Sequence, residues 1–509
     1  MASTHSLTPD CLVDSRRELL AQLASTYGTP LYVYDMPKIA RNFTAFKQAF
    51  SGRKSLICYA LKANSNLSIL RLLAELGSGA DCVSIGEVRR ALLAGIPAYK
   101  IIFSGVGKRD DEIRQALELG ILFINVESFE ELRRVETITR DLAQKLESRK
   151  ALVQKARISI RVNPNIDPKT HPYISTGLYE NKFGVDMDSA KQMYLYAHKS
   201  AFLEPIGIHF HIGSQLIDLD PLTQAARKIA DLARALLALG INLRFFDIGG
   251  GLGICYEDEK PIDLYDYAQG ILATLSGCDL TIICEPGRRI VGDSGLLLTR
   301  VISQKLTESK RFVIVDAGMN DLMRPALYGA YHQPIVLGYD GDLALGSHSG
   351  DFVDSGVFSK NTQSVANSQE TGFAMRNQGF EGGSEGIYLG DNEQAPTAES
   401  TIYRAKPTRK PSKAESTSEQ PISKADIVGP VCESSDTFCK NIPLPPLHNG
   451  ALLGFENAGA YGYSMASTYN ARMRPAEVGI YADGARLIKP RESFEASVAD
   501  ELALLDSSK

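Results

Sequence analysis

Short apolar segments alternate with helix-length segments from about residue 30 to residue 290, and this alternation most constrains the fold. The segments predicted as strands are Leu31–Tyr34, Ser55–Leu61, Ile101–Phe103, Leu122–Val126, Ile158–Val162, Ile206–Phe210, Leu243–Asp247 and Leu280–Cys284. Helical patterns lie between them, as in Ser84–Ala94, Asp110–Leu119 and Leu222–Leu239. Such alternation predicts an α/β fold, either a (β/α)8 barrel or a doubly wound sheet. Polar, chemically versatile residues follow several of the strands, which favours the barrel.

The pattern changes after about residue 293, where strands follow one another without helices. Leu296–Ser303, Phe312–Asp316 and Ala451–Phe455 are predicted strands of this kind. A chain of 509 residues exceeds what one core usually supports. We therefore predict a barrel over residues 36–293 and a mostly β domain over 294–509, with an N-terminal segment, 1–35, that packs on the β domain.

Residues 340–424 differ from both predicted domains in composition. The stretch is rich in Ser, Gly, Asn, Gln, Glu and Lys and has few large apolar side chains. Burial of so little apolar surface cannot offset the entropy of ordering a chain. A long stretch of this kind inside a domain predicts a disordered insertion.

Composition excludes several classes of protein. A net charge of −5 gives no indication of a nucleic acid or an anionic membrane as partner. We expect no membrane-spanning helix, because no apolar run approaches the ~18 residues that such a helix needs. The N-terminus lacks the pattern of a secretory signal. None of the eight cysteines forms a C-x-x-C pair, so we expect a cytoplasmic protein without a disulfide framework or metal site.

Lys62 is the residue with the clearest chemical potential. It follows the apolar run Ser55–Leu61, which is predicted to be a buried strand. Burial is expected to lower the pKa of a lysine and to make its amine a nucleophile toward carbonyl compounds. The alternative is a lysine at a strand end that extends into solvent.

Two further segments follow strands and offer groups that could hold a phosphorylated cofactor. Asp247–Gly253 contains three consecutive glycines, which allow backbone N–H groups to approach a phosphate. A G-x-G-x-x-G dinucleotide fingerprint does not fit there, whereas a plain tight turn does. In His209–Gln215, His211 suits a ring stacked on a cofactor, with Ser214 as a phosphate donor. A metal ligand or a core histidine is the alternative for His211.

Glu285 follows the last predicted barrel strand, in the sequence Cys284–Arg288. A carboxylate in this place can pair with a pyridinium nitrogen and keep the ring protonated, which makes the ring a strong electron sink. A surface turn is the alternative, because Pro-Gly commonly ends an element.

Three segments of the predicted β domain carry the remaining candidate groups. Asp316–Tyr328 supplies an arginine and a tyrosine for a carboxylate, Cys432–Asp436 supplies a thiol and an acid, and Glu456–Tyr463 supplies a tyrosine. Each of these segments alone is also compatible with a structural role.

Taken together, these motifs occur in one order that resembles the fold-type III pyridoxal phosphate-dependent decarboxylases, in particular the diaminopimelate decarboxylases. The resemblance covers about residues 25–338 and 425–490. It implies an alanine racemase-like barrel with a C-terminal β domain, pyridoxal 5'-phosphate as cofactor, and a homodimer with shared active sites. The stretch 340–424 departs from the family pattern.

The resemblance also implies a role for each matched residue. Lys62 would carry the cofactor covalently, and Glu285 would face its ring nitrogen. His211 would stack on the ring, and Cys432 would protonate the product. Cofactor contacts would come from Lys62, Asp81, His211, Ser214, Gly250, Gly251, Glu285, Gly287, Arg288 and Tyr461, with Glu87 near the lysine. Substrate contacts would come from Arg288, Arg324, Tyr328, Glu433 and Tyr461, with Cys432 and Glu433 supplied by the second subunit.

The charges of the candidate substrate-binding residues predict which substrate the site accepts. The carboxylate that leaves should be free of a strong cation, because pairing would stabilise the ground state. Arg324 should therefore hold a second, distal carboxylate, and Glu433 a distal ammonium. This pair favours meso-2,6-diaminopimelate and formation of L-lysine, the last step of lysine biosynthesis. Alternatives are decarboxylation of ornithine, arginine or a carboxylated polyamine, an amino-acid racemase, which Glu285 disfavours, and a cofactor-binding regulatory protein without catalysis.

Overall fold

The structure is a computed structural model that describes residues 17–147, 155–167, 181–338 and 423–507. The predicted insertion at 340–424 lies outside the described residues except for its last two. The described chain begins with helix α1 (Arg17–Tyr27) and strand β1 (Leu31–Asp35). The domain boundaries stay predictions, whereas the fold class is confirmed.

Eight parallel strands close into a barrel in which each strand pairs with the next and β2 pairs with β9. The barrel strands are β2 (Ser55–Ala60), β3 (Gly79–Cys82), β4 (Ile101–Phe103), β5 (Phe123–Val126), β6 (Ala156–Arg161), β7 (Leu203–His209), β8 (Phe245–Asp247) and β9 (Thr281–Cys284). The helices around them are α2 (Met36–Ala49), α3 (Leu67–Glu75), α4 (Ile85–Leu93), α5 (Asp110–Glu118), α6 (Phe129–Glu147), α7 (Met187–Lys199), α8 (Leu219–Ala238), α9 (Leu264–Thr274) and α10 (Arg288–Val291). Within the described ranges, no helix combines the length and the apolar character needed to cross a lipid bilayer.

The series of alternating segments begins with a strand that lies outside the barrel. Leu31–Tyr34 lies in β1, within the segment 1–35 that was expected to pack on the β domain, and β1 belongs to the C-terminal sheet. The barrel strand that the series did not include is β3. The four residues of β3 include glycine and aspartate, which are uncommon in strands, so apolar content did not reveal it. Its glycine is required by packing, since a Cβ on Gly79 would lie 2.5 Å from the carbonyl oxygen of Lys100.

A mixed sheet of nine strands forms the second part of the fold, in the order β14-β13-β11-β10-β1-β16-β17, with β15 on β10 and β12 on β15. Its strands after β1 are β10 (Gly295–Leu306), β11 (Arg311–Val315), β12 (Pro334–Gly338), β13 (Ser423–Val428), β14 (Thr437–Leu444), β15 (Leu452–Phe455), β16 (Ala476–Tyr481) and β17 (Gly484–Lys489). Two helices accompany it, α11 (Arg324–Tyr328) and α12 (Phe494–Ser507).

Buried polar contacts join the sheet to the barrel beside Lys62. The backbone N–H of Tyr461 donates to the carbonyl oxygen of Ala63 over 2.8 Å. The buried Glu477 carboxylate of β16 accepts from Tyr34 Oη at 2.8 Å and from Asn66 Nδ2 at 3.0 Å. Buried polar groups hold a defined geometry when they are satisfied in this way. The turn that carries Lys62 is thus fixed against the sheet.

Candidate active site

A cavity of about 570 Å³ opens at the carboxyl ends of the barrel strands. Barrel residues on its wall include Lys62, Asp81, Ser104, Arg161, His209, His211, Ser214, Glu285 and Arg288, and residues beyond the barrel include Arg324, Tyr328, Tyr461 and Met465. Ligand sites of barrel enzymes lie at this end of the strands, and the volume suits a small molecule. The cavity therefore brings together nine of the predicted site residues.

Lys62 lies in a single turn immediately after β2 and reaches into the cavity. Its Nζ is 3.4 Å from Oδ2 of the buried Asp81, and its side chain is 40% exposed. Burial lowers the pKa of Lys62, but the Asp81 carboxylate and the neighbouring Tyr461 and Glu285 outweigh it and raise the pKa. The expectation of a lowered pKa is therefore wrong, because Asp81 stabilises the ammonium form.

Glu285 and His209 line the cavity, and the buried Asp247 lies beside them. Nε2 of His209 is 3.4 Å from Oε2 of Glu285, and the ligand atoms of the three side chains lie within 4.8 Å of one another. Burial alone would raise the pKa of Glu285, but His209 and the charge of Lys62 lower it to about 2. Burial and the Glu285 charge raise the pKa of Asp247 well above its ordinary value, so ionisation of the cluster is favoured at Glu285 rather than at Asp247.

This cluster bears on the alternative of a metal ligand, which the sequence left open for His211. Asp247 of β8 and Glu285, which directly follows β9, are brought beside His209 rather than beside His211. The donor set could therefore also suit a metal ion.

His211 is fixed as a neutral ring by the glycine loop after β8. Burial, followed by the charge of Arg161, lowers the pKa of His211 well below its ordinary value. The N–H of Gly250 donates to Nδ1 of His211 over 3.2 Å, which leaves the ring proton on Nε2. A Cβ on Gly250 would lie 2.1 Å from the carbonyl oxygen of Glu285. Packing against this carbonyl therefore demands glycine at position 250.

Two other predicted glycines lie behind the cavity wall and make similar close contacts. Gly251 has φ +110°, and a Cβ there would lie 2.3 Å from the carbonyl oxygen of Gly213. A Cβ on Gly287 would lie 3.0 Å from the Cβ of Ala63, next to Lys62. These glycines set the distances between the loops that carry His211, Glu285 and Lys62.

Arg288 is buried and connects three residues of the cavity. Its Nη2 donates to Ser214 Oγ at 3.0 Å and its Nη1 donates to Tyr256 Oη at 2.6 Å. Its guanidinium carbon also lies 4.9 Å from the ring centre of Tyr461. Tyr461 adopts φ 59°, a conformation that is rare for a bulky residue and that occurs most often at functional sites.

Arg324 lies in the same cavity and is held by neutral groups. Its Nη1 is 3.0 Å from Nε2 of His332, and its guanidinium carbon is 4.7 Å from the ring centre of Tyr256. Burial and the charge of Arg324 lower the pKa of His332 to about 3, so this histidine is neutral. Its Nδ1 therefore donates to the carbonyl oxygen of Glu456 at 2.8 Å, and its Nε2 accepts from Arg324.

Cys432 and Glu433 do not line this cavity in the chain described. Both are exposed. The N–H of Cys432 donates to Asn470 Oδ1 at 3.3 Å, and Tyr469 Oη donates to a carboxylate oxygen of Glu433. Asn470 and Ala471 have φ values of 56° and 54°, so the backbone that supports this pair is strained.

Comparison with protein families identifies the fold's family. Residues 36–292 match the pyridoxal-binding domain of the pyridoxal-dependent decarboxylases, and residues 354–459 match the C-terminal sheet domain of the same family. The chain belongs to the pyridoxal-dependent decarboxylases. Part of the second match, from residue 354, falls in the stretch that composition assigns to an insertion, outside the described residues.

Individual members of the family are similar over nearly the whole chain. Diaminopimelate decarboxylase from Helicobacter pylori is 52% identical over 474 residues, which are 93% of this chain and 96% of the relative. The enzyme of that name from Campylobacter jejuni is 47% identical, over 94% of this chain and 98% of the relative. A crystal structure of the Helicobacter pylori enzyme complexed with L-lysine has a TM-score of 0.75 and 50% identity, covering 95% and 99% of the two chains.

The residues in the cavity fit the cofactor of this decarboxylase family, pyridoxal phosphate. Oε1 of Glu285 and Oδ1 of Asp81 are buried and have no hydrogen-bond partner among the described residues. A buried carboxylate oxygen without a partner is costly, which is consistent with a ligand donor at each place. Lys62, Glu285, His211 and Ser214 are the groups that would hold the cofactor.

The residues of this decarboxylase site that were not recognised from the sequence include His209 and Tyr256 on the cavity wall and His332 beside Arg324. His209 was noted only as a neighbour of His211, and Tyr256 and His332 were not considered. A signal existed for His209, because it ends β7 two residues before His211, the candidate for stacking on the cofactor ring. Tyr256 and His332 lie in irregular segments, and no local pattern identifies them.

Proposed function

We propose that this chain decarboxylates meso-2,6-diaminopimelate to L-lysine and CO2 with pyridoxal phosphate as cofactor, in the last step of lysine biosynthesis. The relatives that match over nearly their whole length carry the name of this activity. When bound, pyridoxal phosphate accepts the electron pair of the C–C bond that breaks as CO2 leaves.

The observation that carries the substrate assignment is the state of two arginines. Arg288 and Arg324 are each only 6% exposed. Neither has a carboxylate within 4.0 Å in the part of the chain that the structure describes, although other buried cations such as Lys108 do. A buried guanidinium without a counter-ion is costly. A substrate with a second carboxylate that does not react supplies a counter-ion for Arg324, whereas a simple diamino acid has only the carboxylate that leaves.

Stereochemistry decides which end of the substrate reacts. L-Lysine retains the L centre of meso-diaminopimelate, so the D centre loses its carboxyl group. Arg324 would then bind the carboxylate of the L centre, which stays in the product. Lys62 would carry the cofactor next to the D centre, and the charge of Glu285 would keep the ring nitrogen protonated.

We propose that the site is completed by a second copy of the chain. Cys432 and Glu433 are exposed on one surface, yet the chemistry requires a proton donor and an acid for the distal ammonium. In a homodimer, the partner subunit's Cys432 would return a proton to the carbon that lost CO2, and the partner subunit's Glu433 would bind the ammonium. A cytoplasmic location is also proposed, since the seven described cysteines are all free.

An assay of CO2 release with purified, cofactor-loaded protein tests the activity. Meso-diaminopimelate, L-lysine, L-ornithine and L-arginine are offered in parallel, and the product is identified as L-lysine by chiral chromatography. A higher kcat/KM for L-lysine or L-ornithine than for meso-diaminopimelate would overturn the substrate assignment.

Mixing two inactive variants tests the shared site. Lys62→Ala and Cys432→Ala homodimers should each be inactive, and exchange of subunits should restore one complete site in each heterodimer. Mixing each variant with itself is the control. Absence of restored activity, with subunit exchange demonstrated by native mass spectrometry, would contradict the shared site.

A further inference from the structure

Arg324 is surrounded by groups that fix its position without neutralising its charge. An arginine that recognises a substrate carboxylate must be immobile, because loss of its rotamer freedom opposes binding. An acidic neighbour would immobilise it, but would also compete with the substrate. The residues around Arg324 hold its side chain in place, and none of those described below is an acid that would compete with the substrate carboxylate.

His332 supplies a neutral acceptor for this arginine. The ring is 1% exposed and lies between the Glu456 carbonyl oxygen, at 2.8 Å from Nδ1, and Nη1 of Arg324, at 3.0 Å from Nε2. The carbonyl oxygen can only accept, and so it fixes the ring proton on Nδ1. Nε2 is thereby left as an acceptor, which is the form that a guanidinium needs.

Tyr256 supplies a ring face and separates the two arginines. The guanidinium of Arg324 lies 4.7 Å from its ring centre, and the hydroxyl accepts from Arg288 at 2.6 Å. His332 meets the same ring edge-on, with centroids 5.5 Å apart and planes at 81°. A desolvated cation over an aromatic face is attracted without loss of its net charge.

We propose that Tyr256 and His332 are specificity-determining positioning residues, which orient Arg324 toward the second carboxylate of the substrate. This inference rests on the proposed function, because it requires that Arg324 binds that carboxylate. Neither residue needs to touch the reacting carbon. Their effect should appear in the discrimination between ligands with and without the carboxylate.

Two ligands that differ only in this group provide the test. L-Lysine, the product, keeps the carboxylate of the L centre, and 1,5-diaminopentane has the same chain and amines without it. Binding of both to the cofactor-loaded enzyme is measured by isothermal titration calorimetry. Cofactor content and melting temperature are recorded for every variant.

The variants at position 332 form a matched pair. His332→Asn can still reach the Glu456 carbonyl oxygen but is too short to accept from Arg324, whereas His332→Gln carries an acceptor near the place of Nε2. We expect the Asn variant to weaken L-lysine binding about tenfold or more, with a change of less than about threefold for 1,5-diaminopentane. The Gln variant should recover most of the loss. Tyr256→Leu should reproduce the loss, and Tyr256→Phe, which keeps the ring, should lose less.

The binding measurements distinguish a failure of the positioning role from a failure of the proposed function. Loss of L-lysine affinity in Arg324→Met, but not in His332→Asn or Tyr256→Leu, would overturn the positioning role alone. No preference of the wild type for L-lysine over 1,5-diaminopentane, with no effect of Arg324→Met, would overturn the function proposed for the site. Equal losses for both ligands in the position-332 and position-256 variants would indicate a structural role and also overturn the inference.

A further test measures the tautomer of His332 in the wild-type enzyme, so it does not depend on whether a variant of a buried residue folds. In the wild-type enzyme labelled with 15N-histidine, the signal of His332 should show a neutral ring with its proton on Nδ1 between about pH 5 and pH 8. Addition of L-lysine should leave this tautomer unchanged. A proton on Nε2, or a ring that titrates in this range, would contradict its role as acceptor for Arg324.

Discussion

His209 and Glu285 form a buried pair on the wall of the cavity, with Nε2 of the histidine 3.4 Å from Oε2 of the glutamate. Asp247 lies against the same pair, and burial together with the charge of Glu285 raises the pKa of Asp247. Two acids that are close together cannot both ionise easily. Against the effect of burial, His209 and the charge of Lys62 lower the pKa of Glu285, so ionisation of the cluster is favoured at Glu285. We therefore expect Glu285 to be the carboxylate that faces a ring nitrogen.

Glu285→Gln should lower kcat by about 10²–10³ while the cofactor stays bound, since it removes the charge aimed at the ring. Asp247→Asn is the matched control. Because burial and the Glu285 charge disfavour ionisation of Asp247, and because an amide oxygen can still accept from the N–H of Gly249 at 3.0 Å, the loss there should be less than about tenfold. Stopped-flow rates and cofactor absorbance give both quantities. Similar losses in the two variants would contradict the division of charge.

Lys62→Ala should abolish turnover and covalent attachment of the cofactor without loss of the fold. Borohydride reduction followed by peptide mass spectrometry should place the cofactor on Lys62 in the wild type and nowhere in the variant. The far-ultraviolet circular dichroism spectrum serves as the control for folding. Reduction that attaches cofactor to another lysine in the wild type would refute the assignment.

Arg324→Met should lower kcat/KM for meso-diaminopimelate by about 30-fold to several thousand-fold, because the distal carboxylate would be desolvated without a partner. Decarboxylation of D-lysine, whose only carboxylate is the one at the reacting D centre, should change little. The ratio of the two kcat/KM values, measured for wild type and variant, decides the question. An unchanged ratio would show that Arg324 does not bind the distal carboxylate.

The pKa of His332 has a consequence for stability below neutral pH. The pKa of His332 is about 3 in the native protein and near 6.5 when the chain is unfolded. Between these two pH values the unfolded chain binds a proton at His332 and the native chain does not. Stability is therefore lost as pH falls below 6.5. Between pH 7 and pH 5 this single group should cost about 2 kcal/mol.

His332→Gln should remove that part of the pH dependence. The comparison uses free energies of unfolding from urea denaturation of both proteins at each pH. The wild type should lose about 2 kcal/mol more than the variant between the two conditions. Parallel behaviour of the two proteins would mean that His332 is not held neutral.

The parts of the site that the sequence revealed are those that follow strands. Lys62 and Glu285 each come directly after a buried apolar run, and the ends of parallel strands meet at one edge of a barrel. Tyr256 and His332 gave no such signal, because they are brought to Arg324 by irregular segments far apart in the chain. Strand β3 was missed for a related reason, since pairing partners, rather than composition, decide whether so short a segment forms a strand.

Strand β1 lies between β10 and β16, and its residue Leu31 is opposite both Leu298 and Ala476. During synthesis, the ribosome releases β1 before the barrel strands and β16 after them. The barrel can close earlier, but this side of the sheet must wait until β16 has been made. Contacts of such long sequence separation form slowly. Nascent chains should therefore expose an unpaired edge at β1 until β16 emerges, and a chaperone that covers strand edges should bind them most during this interval.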